Sequence, residues 1–194
     1  LLIKAVYGGN DISGSINNKN NATPTSLGYS YKVTNGLPTT LESFVFAQAT
    51  ATNALIGNVF GGGNGAYQYG GSEGNWSVTM KDLGTGTVTF ANLPNKPIAP
   101  QAYLQIEGGT YGSIYGGGNE AAGNAGTINI GCTGAIVEGD NGHVAHPEEI
   151  GKTLEGIGAV YGGANNANVT NDSGITLNIN SGMVANAFGG NNTD

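Results

Sequence analysis

Two stretches of the sequence contain residue types that could do chemistry. The first is SIYGGGNEA, residues 113–121, where three consecutive glycines could bring backbone N–H groups close to a phosphate. A phosphate loop of that kind continues into Gly-Lys-Ser or Gly-Lys-Thr and a helix, and neither follows here. The glycines are therefore better explained by a requirement of the fold than by nucleotide binding.

The second stretch is the loop of residues 139–152, which holds both histidines of the chain and several acids. The residues with ligand chemistry are Asp140, His143, His146, Glu148 and Glu149. Two histidines and a carboxylate could hold Zn²⁺, but an H-x-x-H pair on a loop has no fixed geometry. We therefore expect a solvated insertion that binds no transition metal tightly and is dispensable for the fold. We expect no cofactor and no metal site.

The glycine-rich stretch is one of five copies of a six-residue word: VYGGND, VFGGGN, IYGGGN, VYGGAN and AFGGNN. A repeated word indicates a repeated structural unit. The aromatic residue of each word is numbered zero here. The aromatic residues are Tyr7, Phe60, Tyr115, Tyr161 and Phe188, and the residues at +4 are Asp11, Asn64, Asn119, Asn165 and Asn192.

The elements around each word are predicted to be short strands. Residues 104–119 align with residues 177–192 without a gap, and their Leu-x-Ile alternation is typical of a strand with one buried face. Equivalent residues in a parallel stack lie about 4.8 Å apart, so the aromatic residues should stack and the +4 residues should form an amide ladder. The glycine pair predicts either a turn too tight for a Cβ or a backbone with positive φ. If the second explanation holds, Gly116 should have a positive φ.

The spacing of the words predicts a β-solenoid with irregular insertions. Tyr161 and Phe188 are 27 residues apart, whereas the first two intervals are 53 and 55 residues, near twice that length. Intermediate runs could then be missing coils: YKVTN at Tyr31, SFVFAQAT at Ser43, TVTFANL at Thr87 and TINIGC at Thr127. We predict an all-β fold, a right-handed parallel β-helix or β-solenoid with long inserted loops. Residues 1–194 are expected to be a single domain and a fragment of a longer repeat protein.

Two segments resemble a known kind of repeat. TLNINSGMVANAFGGNN and LQIEGGTYGSIYGGGN are similar to the repeats of large secreted or surface proteins of gut anaerobic bacteria, which carry a pattern like T-V-N-I-S-G-G-x-x-x-x-x-V-Y-G-G-G-N. The resemblance implies a parallel β-helix, an extracellular or cell-surface location and an adhesin-like role. Neighbouring repeats of the parent chain would then be partners.

The function predicted from these features is a non-catalytic surface module, an adhesin-like stalk or binding platform. Its partners would be glycans or components of host or bacterial surfaces. Aromatic side chains predicted to lie in loops or at edges could stack on sugar faces. The candidates are Tyr67, Tyr69, Trp76 and Tyr103.

The alternative is a polysaccharide-active β-helix enzyme, a lyase or hydrolase. Hydrolases of this class use clustered carboxylates, and lyases use acids around Ca²⁺ with Arg or Lys as the base. The five Asp residues here fall in separate segments and the chain has no Arg, so no catalytic residue is assigned.

The charge of the chain excludes one class of partner. The net charge is −7 and all six cationic residues are Lys, whereas a nucleic-acid binder needs a cationic face. No stretch of about 20 apolar residues is present, so we expect no membrane insertion of this segment.

Overall fold

In this computed structural model the described residues are 2–14, 25–27, 43–48, 55–72, 75–80, 87–90, 96–107, 110–130, 156–169, 174–180 and 183–193. They are rich in β-strands and contain no helix, so the described part is all-β. That part accordingly offers no helix long and apolar enough to cross a membrane. The strands are β1 Leu2–Tyr7, β2 Thr25–Leu27, β3 Ser43–Gln48, β4 Leu55–Phe60, β5 Tyr67–Ser72, β6 Asn75–Met80, β7 Thr87–Phe90, β8 Ala99–Glu107, β9 Thr110–Tyr115, β10 Gly123–Ile130, β11 Gly156–Tyr161, β12 Thr176–Ile179 and β13 Val184–Phe188.

Ten of these strands form two parallel sheets. The first sheet has the order β1-β4-β9-β11-β13, and the second has the order β2-β3-β8-β10-β12. We call each strand of the first sheet, together with the word that ends it, a layer, from layer one (β1) to layer five (β13).

The five words occupy five successive layers of the first sheet. Tyr7 pairs with Phe60 and Phe60 pairs with Tyr115, with no strand between them. The expectation that the 53- and 55-residue intervals contain a missing coil is therefore wrong for this sheet. The extra residues of the longer intervals lie between successive strands of this sheet and add no strand to it.

The four runs predicted to be missing coils have different outcomes. Ser43–Gln48 and the run beginning at Thr127 lie in the second parallel sheet, where each pairs with β8. Thr87–Phe90 instead pairs antiparallel with β6, in a three-stranded sheet of order β5-β6-β7. The run at Tyr31 lies outside the described residues. Alternation of apolar and polar residues fits both kinds of sheet, so it could not distinguish a solenoid strand from an inserted hairpin.

The hydrophobic core lies between the two parallel sheets. Apolar side chains from both sheets form one buried cluster: Val6, Ile56, Val59, Ala102, Leu104, Ile106, Tyr111, Ile114, Ile128, Ile130, Ile157 and Val160. The second sheet contributes residues two apart, such as Leu104 and Ile106, which a regular strand points to one face. Burial of these side chains is the main source of stability for the described part.

The first sheet points residues three apart to the same core, and this requires a break in the strand. Ile56 and Val59 are both buried in the cluster, although strict alternation would place them on opposite faces. The register supplies the break: Ile56 pairs with Tyr111 and Asn58 with Ser113, while the intervening position is left out of the ladder. That position is Gly112 in layer three and Gly158 in layer four, and a Cβ on Gly158 would lie 2.6 Å from the Gly112 carbonyl oxygen. Glycine at −3 therefore lets the strand bend and return its apolar residue to the core.

Candidate functional site

The aromatic residues of the words form one continuous stack. Neighbouring ring centroids lie 4.8–4.9 Å apart with interplanar angles of 5–13°. This is the spacing of hydrogen-bonded strands, so the rings repeat with the backbone of the sheet. The stack runs Tyr7, Phe60, Tyr115, Tyr161, Phe188.

Stacking removes the inner rings from water while leaving the ends more open. Phe60 and Tyr115 are buried, whereas Phe188 at one end is 45% exposed. Burial raises the pKa of the Tyr115 hydroxyl, and it also raises the pKa of Tyr7. The hydroxyls of Tyr7 and Tyr115 are therefore protonated at neutral pH.

The residues at +4 form a row of side-chain hydrogen bonds beside the rings. Each Asn donates from Nδ2 to the Oδ1 of the preceding layer at 2.8–2.9 Å. The row begins at Asn192 and passes through Asn165, Asn119 and Asn64 before ending on the carboxylate of Asp11. The residues that the sequence grouped as a structural ladder are thus brought together in register.

In the second, third and fourth words, the residue at +5 has a left-handed backbone conformation. The φ angles are +66° at Gly65, +53° at Glu120 and +52° at Asn166. Gly116 is not among the residues with positive φ, so the positive-φ explanation of the glycine pair is wrong. The pair is required by close approach between layers: a Cβ on Gly62 would lie 2.7 Å from the backbone nitrogen of Gly118.

The inserted antiparallel sheet is tied to the first layer through two tyrosines. Tyr67 donates its hydroxyl to Oδ2 of Asp11 at 2.7 Å, and Tyr69 donates its hydroxyl to the backbone oxygen of Ile12. The two rings meet edge to face, with centroids 6.4 Å apart and planes at 87°. Burial, and then the nearby Asp11 charge, raise the pKa of each hydroxyl to about 12.

A lysine lies beside these two tyrosines, and among the described residues it is the one lysine that contacts the face of an aromatic ring. Lys96 donates from Nζ to the backbone oxygen of Glu120 at 2.8 Å and lies 5.6 Å from the centroid of Tyr69. The lysine thus binds the carbonyl oxygen of the left-handed residue, and its ammonium group lies over the ring. Tyr69 is held at its hydroxyl and over its face, which limits its freedom to bind a ligand.

The four aromatic residues proposed to contact glycans do not form one exposed platform. Tyr67 is only 9% exposed, so little of its ring is open to a sugar in this structure. Tyr67 and Tyr69 lie two apart on β5, and Trp76 and Val78 face the same side from β6 because of the antiparallel register. Val78 is 1% exposed, so this face of the hairpin is covered at Tyr67 and Val78, whereas Trp76 on the same face is half-buried.

Trp76 remains the candidate with room for a ligand. It is half-buried and lies opposite Gly71, which has no side chain to cover the indole. Tyr103 lies in β8, where its backbone pairs with Phe44 and Thr127, and its side chain is outside the described residues. Residues 139–152, including both histidines, also lie outside the described part.

Two features of the sequence are consistent with the contacts that Tyr67 and Tyr69 make with the first layer. Asp occurs at +4 only in the first word, where a carboxylate can accept two hydrogen bonds but donate none. Tyr67 lies three residues after the end of the second word, and Tyr69 follows on the same strand. A strand that begins so soon after the word can fold back over the preceding layer. Within the described residues, no three His, Cys, Asp or Glu side chains come together as a metal-binding group.

Comparison with known proteins gives no relative from which a function could be transferred. No family model, no curated protein and no solved structure matches the chain at a significant level.

Proposed function

We propose that the two parallel sheets are faces of a right-handed parallel β-helix and that the chain is a non-catalytic, adhesin-like stalk or binding platform. The observation that carries this proposal is the register of the five words. Each layer repeats the ring, the glycine pair and the +4 polar residue of the layer before it. The right-handed sense follows the general preference of parallel crossover connections.

A stack of this kind is suited to a mechanical or presenting role. Each layer adds about 4.8 Å of length, and its stability depends chiefly on contacts with its neighbours. The ring column and the amide row hold adjacent layers in one register, which resists shear between them. Long insertions such as β5–β7 leave the stack without interrupting it, and they provide surface that can vary independently.

The proposed location is extracellular or at a cell surface, and the proposed ligands are glycans or other surface components. The chain has few charged residues and a negative net charge of −7, which suits binding to a neutral polysaccharide better than binding to nucleic acid. Trp76 is the side chain on which a sugar ring would stack, because it is half-buried beside a glycine while Tyr67 is closed off.

A glycan array probed with the whole chain tests this proposal. We expect binding to a defined group of neutral glycans, lost in Trp76→Ala and retained in Gln68→Ala, which changes an exposed residue of the same hairpin. Thermal unfolding of both variants separates loss of binding from loss of structure. Release of new reducing ends or unsaturated products from a bound polysaccharide would contradict the non-catalytic assignment.

A further inference from the structure

The outward face of the second parallel sheet carries uncharged polar side chains at equivalent positions of neighbouring strands. Alternate residues of β8 and β10, such as Leu104 and Ile128, are fully buried in the core, so their neighbours along each strand point outward. Five of these outward residues, which we call the polar strip, are partly or fully exposed. They are Gln105 of β8, Thr127 and Asn129 of β10, and Thr176 and Asn178 of β12.

The register arranges the polar strip in two rows that run across the strands. One row consists of amides, because Gln105 pairs with Asn129 and Asn129 pairs with Asn178. The other row consists of hydroxyl groups, because Thr127 pairs with Thr176. Neighbouring members of a row lie about 4.8 Å apart, and the two rows are separated by two residues along each strand, about 7 Å. Polar groups therefore recur at a fixed spacing on this face.

A hydrogen bond within the strip orients the amide row. Asn178 donates from Nδ2 to Oδ1 of Asn129 at 2.8 Å, in the direction of the row. A primary amide has two N–H donors and a carbonyl oxygen with two lone pairs, so a bond within the row does not exhaust the side chain. Because the amides are held in place before a ligand binds, binding costs less side-chain entropy.

The chemistry of the polar strip favours a neutral ligand with regularly repeated hydroxyl groups. No member of the strip is charged, and both amides and hydroxyl groups can donate to and accept from an alcohol. An anionic polymer would find no cation among these five residues to compensate for its lost hydration. An extended β-1,4-linked polysaccharide repeats its hydroxyl groups with every sugar unit, at a distance close to the spacing of neighbouring strands. An α-linked glucan instead winds into a helix and presents them on a curve.

We propose that the polar strip binds an extended, neutral β-1,4-linked polysaccharide that runs across the strands of the second sheet, with about one sugar unit per strand. The amide row and the hydroxyl row bond hydroxyl groups along the chain. Tyr103 precedes Thr127 in the register of the hydroxyl row, so its position adjoins the same path. The inference rests on the proposed function for the class of ligand, and it assigns that ligand a site other than Trp76.

Sedimentation of the whole chain with insoluble cellulose tests this site, and granular starch is the matched control polymer. Both polymers consist of glucose, but only cellulose is extended, so we expect the protein to bind cellulose and not starch. Depletion isotherms measure the affinity. Thr127→Ala combined with Asn129→Ala should weaken binding to cellulose at least about tenfold, and Asn178→Ala alone at least about threefold.

Asn186→Ala provides a matched control for Asn178→Ala. Both asparagines are exposed, lie in the last strand of a parallel sheet and donate from Nδ2 to the preceding strand, but Asn186 belongs to the first sheet. The control variant should bind cellulose as the unaltered protein does. Thermal unfolding of every variant checks the fold. Asn178→Ala remains decisive even if the double variant unfolds, because Asn178 is exposed in an edge strand.

Trp76→Ala separates the polar strip from the inserted hairpin. It should lose binding to short glycans on the array while its affinity for cellulose stays within about twofold of the unaltered protein. Binding to cellulose by a protein that binds no array glycan would contradict the role of Trp76 and support the strip. Four results would overturn the inference: no binding to cellulose, equal binding to starch, equal effects of Asn178→Ala and Asn186→Ala, or loss of cellulose binding in Trp76→Ala with the strip variants unaffected. The last result would leave the proposed function supported.

Discussion

The hydroxyl of Tyr67 donates to Oδ2 of Asp11 across 56 residues of sequence, with a distance of 2.7 Å. Asn64 donates to the other oxygen of the same carboxylate at 2.8 Å. One side chain thus ends the amide row and anchors the inserted hairpin. The stability of the first layer and the position of the hairpin are therefore coupled.

The first prediction concerns that coupling. Tyr67→Phe should lower the free energy of unfolding by about 1.5–3 kcal/mol, the range for a hydrogen bond to a charged group. Asp11→Asn should also destabilise, because one amide oxygen cannot replace two carboxylate oxygens as acceptors for Asn64 and Tyr67. Urea unfolding of both single variants and the double variant gives the interaction energy. Additivity within about 0.3 kcal/mol would show that the pair does not interact as described.

The second prediction compares equivalent glycines in layers four and five. Gly163→Ala should destabilise by about 1–3 kcal/mol, because its Cβ would meet the backbone nitrogen of Asn191 at 2.9 Å. Gly190→Ala should change stability by no more than about 0.5 kcal/mol, since its Cβ would meet nothing within 4 Å. Both are measured by chemical denaturation. Equal costs at the two positions would mean that the next layer does not determine the requirement for glycine.

The third prediction concerns the left-handed residue at +5. Glu120 has a φ of +53°, which is strained for a residue with a Cβ. Glu120→Gly should be more stable than Glu120→Ala by about 1 kcal/mol, and both variants lose the same side-chain interactions. Comparing Gly with Ala isolates the backbone term.

Gln68, an exposed residue of β5, provides the control for that comparison. There Ala should be more stable than Gly by about 0.5–1 kcal/mol, because glycine loses more conformational freedom in a strand. The same order of Gly and Ala at both positions would contradict a left-handed turn at Glu120.

The fourth prediction is a loss of stability at alkaline pH. The pKa of Tyr67 is about 12 in the folded protein, above the ordinary value of 10.0, so the folded state holds its proton more tightly than the unfolded state. The stabilisation is complete below about pH 10 and falls as pH rises toward 12. The free energy of unfolding should therefore decrease with pH in this window, and less steeply in Tyr67→Phe.

Lysine deprotonation in the same window affects the unaltered protein and the Tyr67→Phe variant alike, so the difference between their slopes is the informative quantity. Tyrosinate absorbance provides a second measurement, in which Tyr67 and Tyr69 should titrate later than exposed tyrosines. Identical slopes for the two proteins would contradict the link between burial of Tyr67 and folding.

The ring column and the amide row could be predicted from the sequence because both depend on identity at fixed offsets. An aromatic at zero and an Asn or Asp at +4 recur in all five words. A parallel sheet then places equivalent side chains about 4.8 Å apart without further information. All-β architecture and parallel pairing follow from the same pattern.

The layer count and the turn geometry could not be predicted in the same way. Insertions such as β5–β7 lengthen an interval without adding a layer, so spacing alone suggested extra coils. The left-handed position carries Gly65, Glu120 and Asn166, and a conformation shared by such different residues leaves no common signal in the sequence. The burial of Tyr67 could not be predicted because its hydroxyl binds Asp11, which is distant in the sequence and comes near only in the folded chain.

The central claim is that the five words stack in register as successive layers, and a distance between spin labels tests it most directly. In a Cys132→Ser background, labels at Ala5→Cys and Asn186→Cys occupy equivalent positions in layers one and five, since both lie two residues before the ring. The account predicts a narrow distribution with backbone positions about 19 Å apart, four spacings of about 4.8 Å. Labels at Ala5→Cys and Asn58→Cys, in adjacent layers, should show strong dipolar broadening. A broad distribution for the first pair, or a distance more than twice the predicted value, would contradict the stacked register.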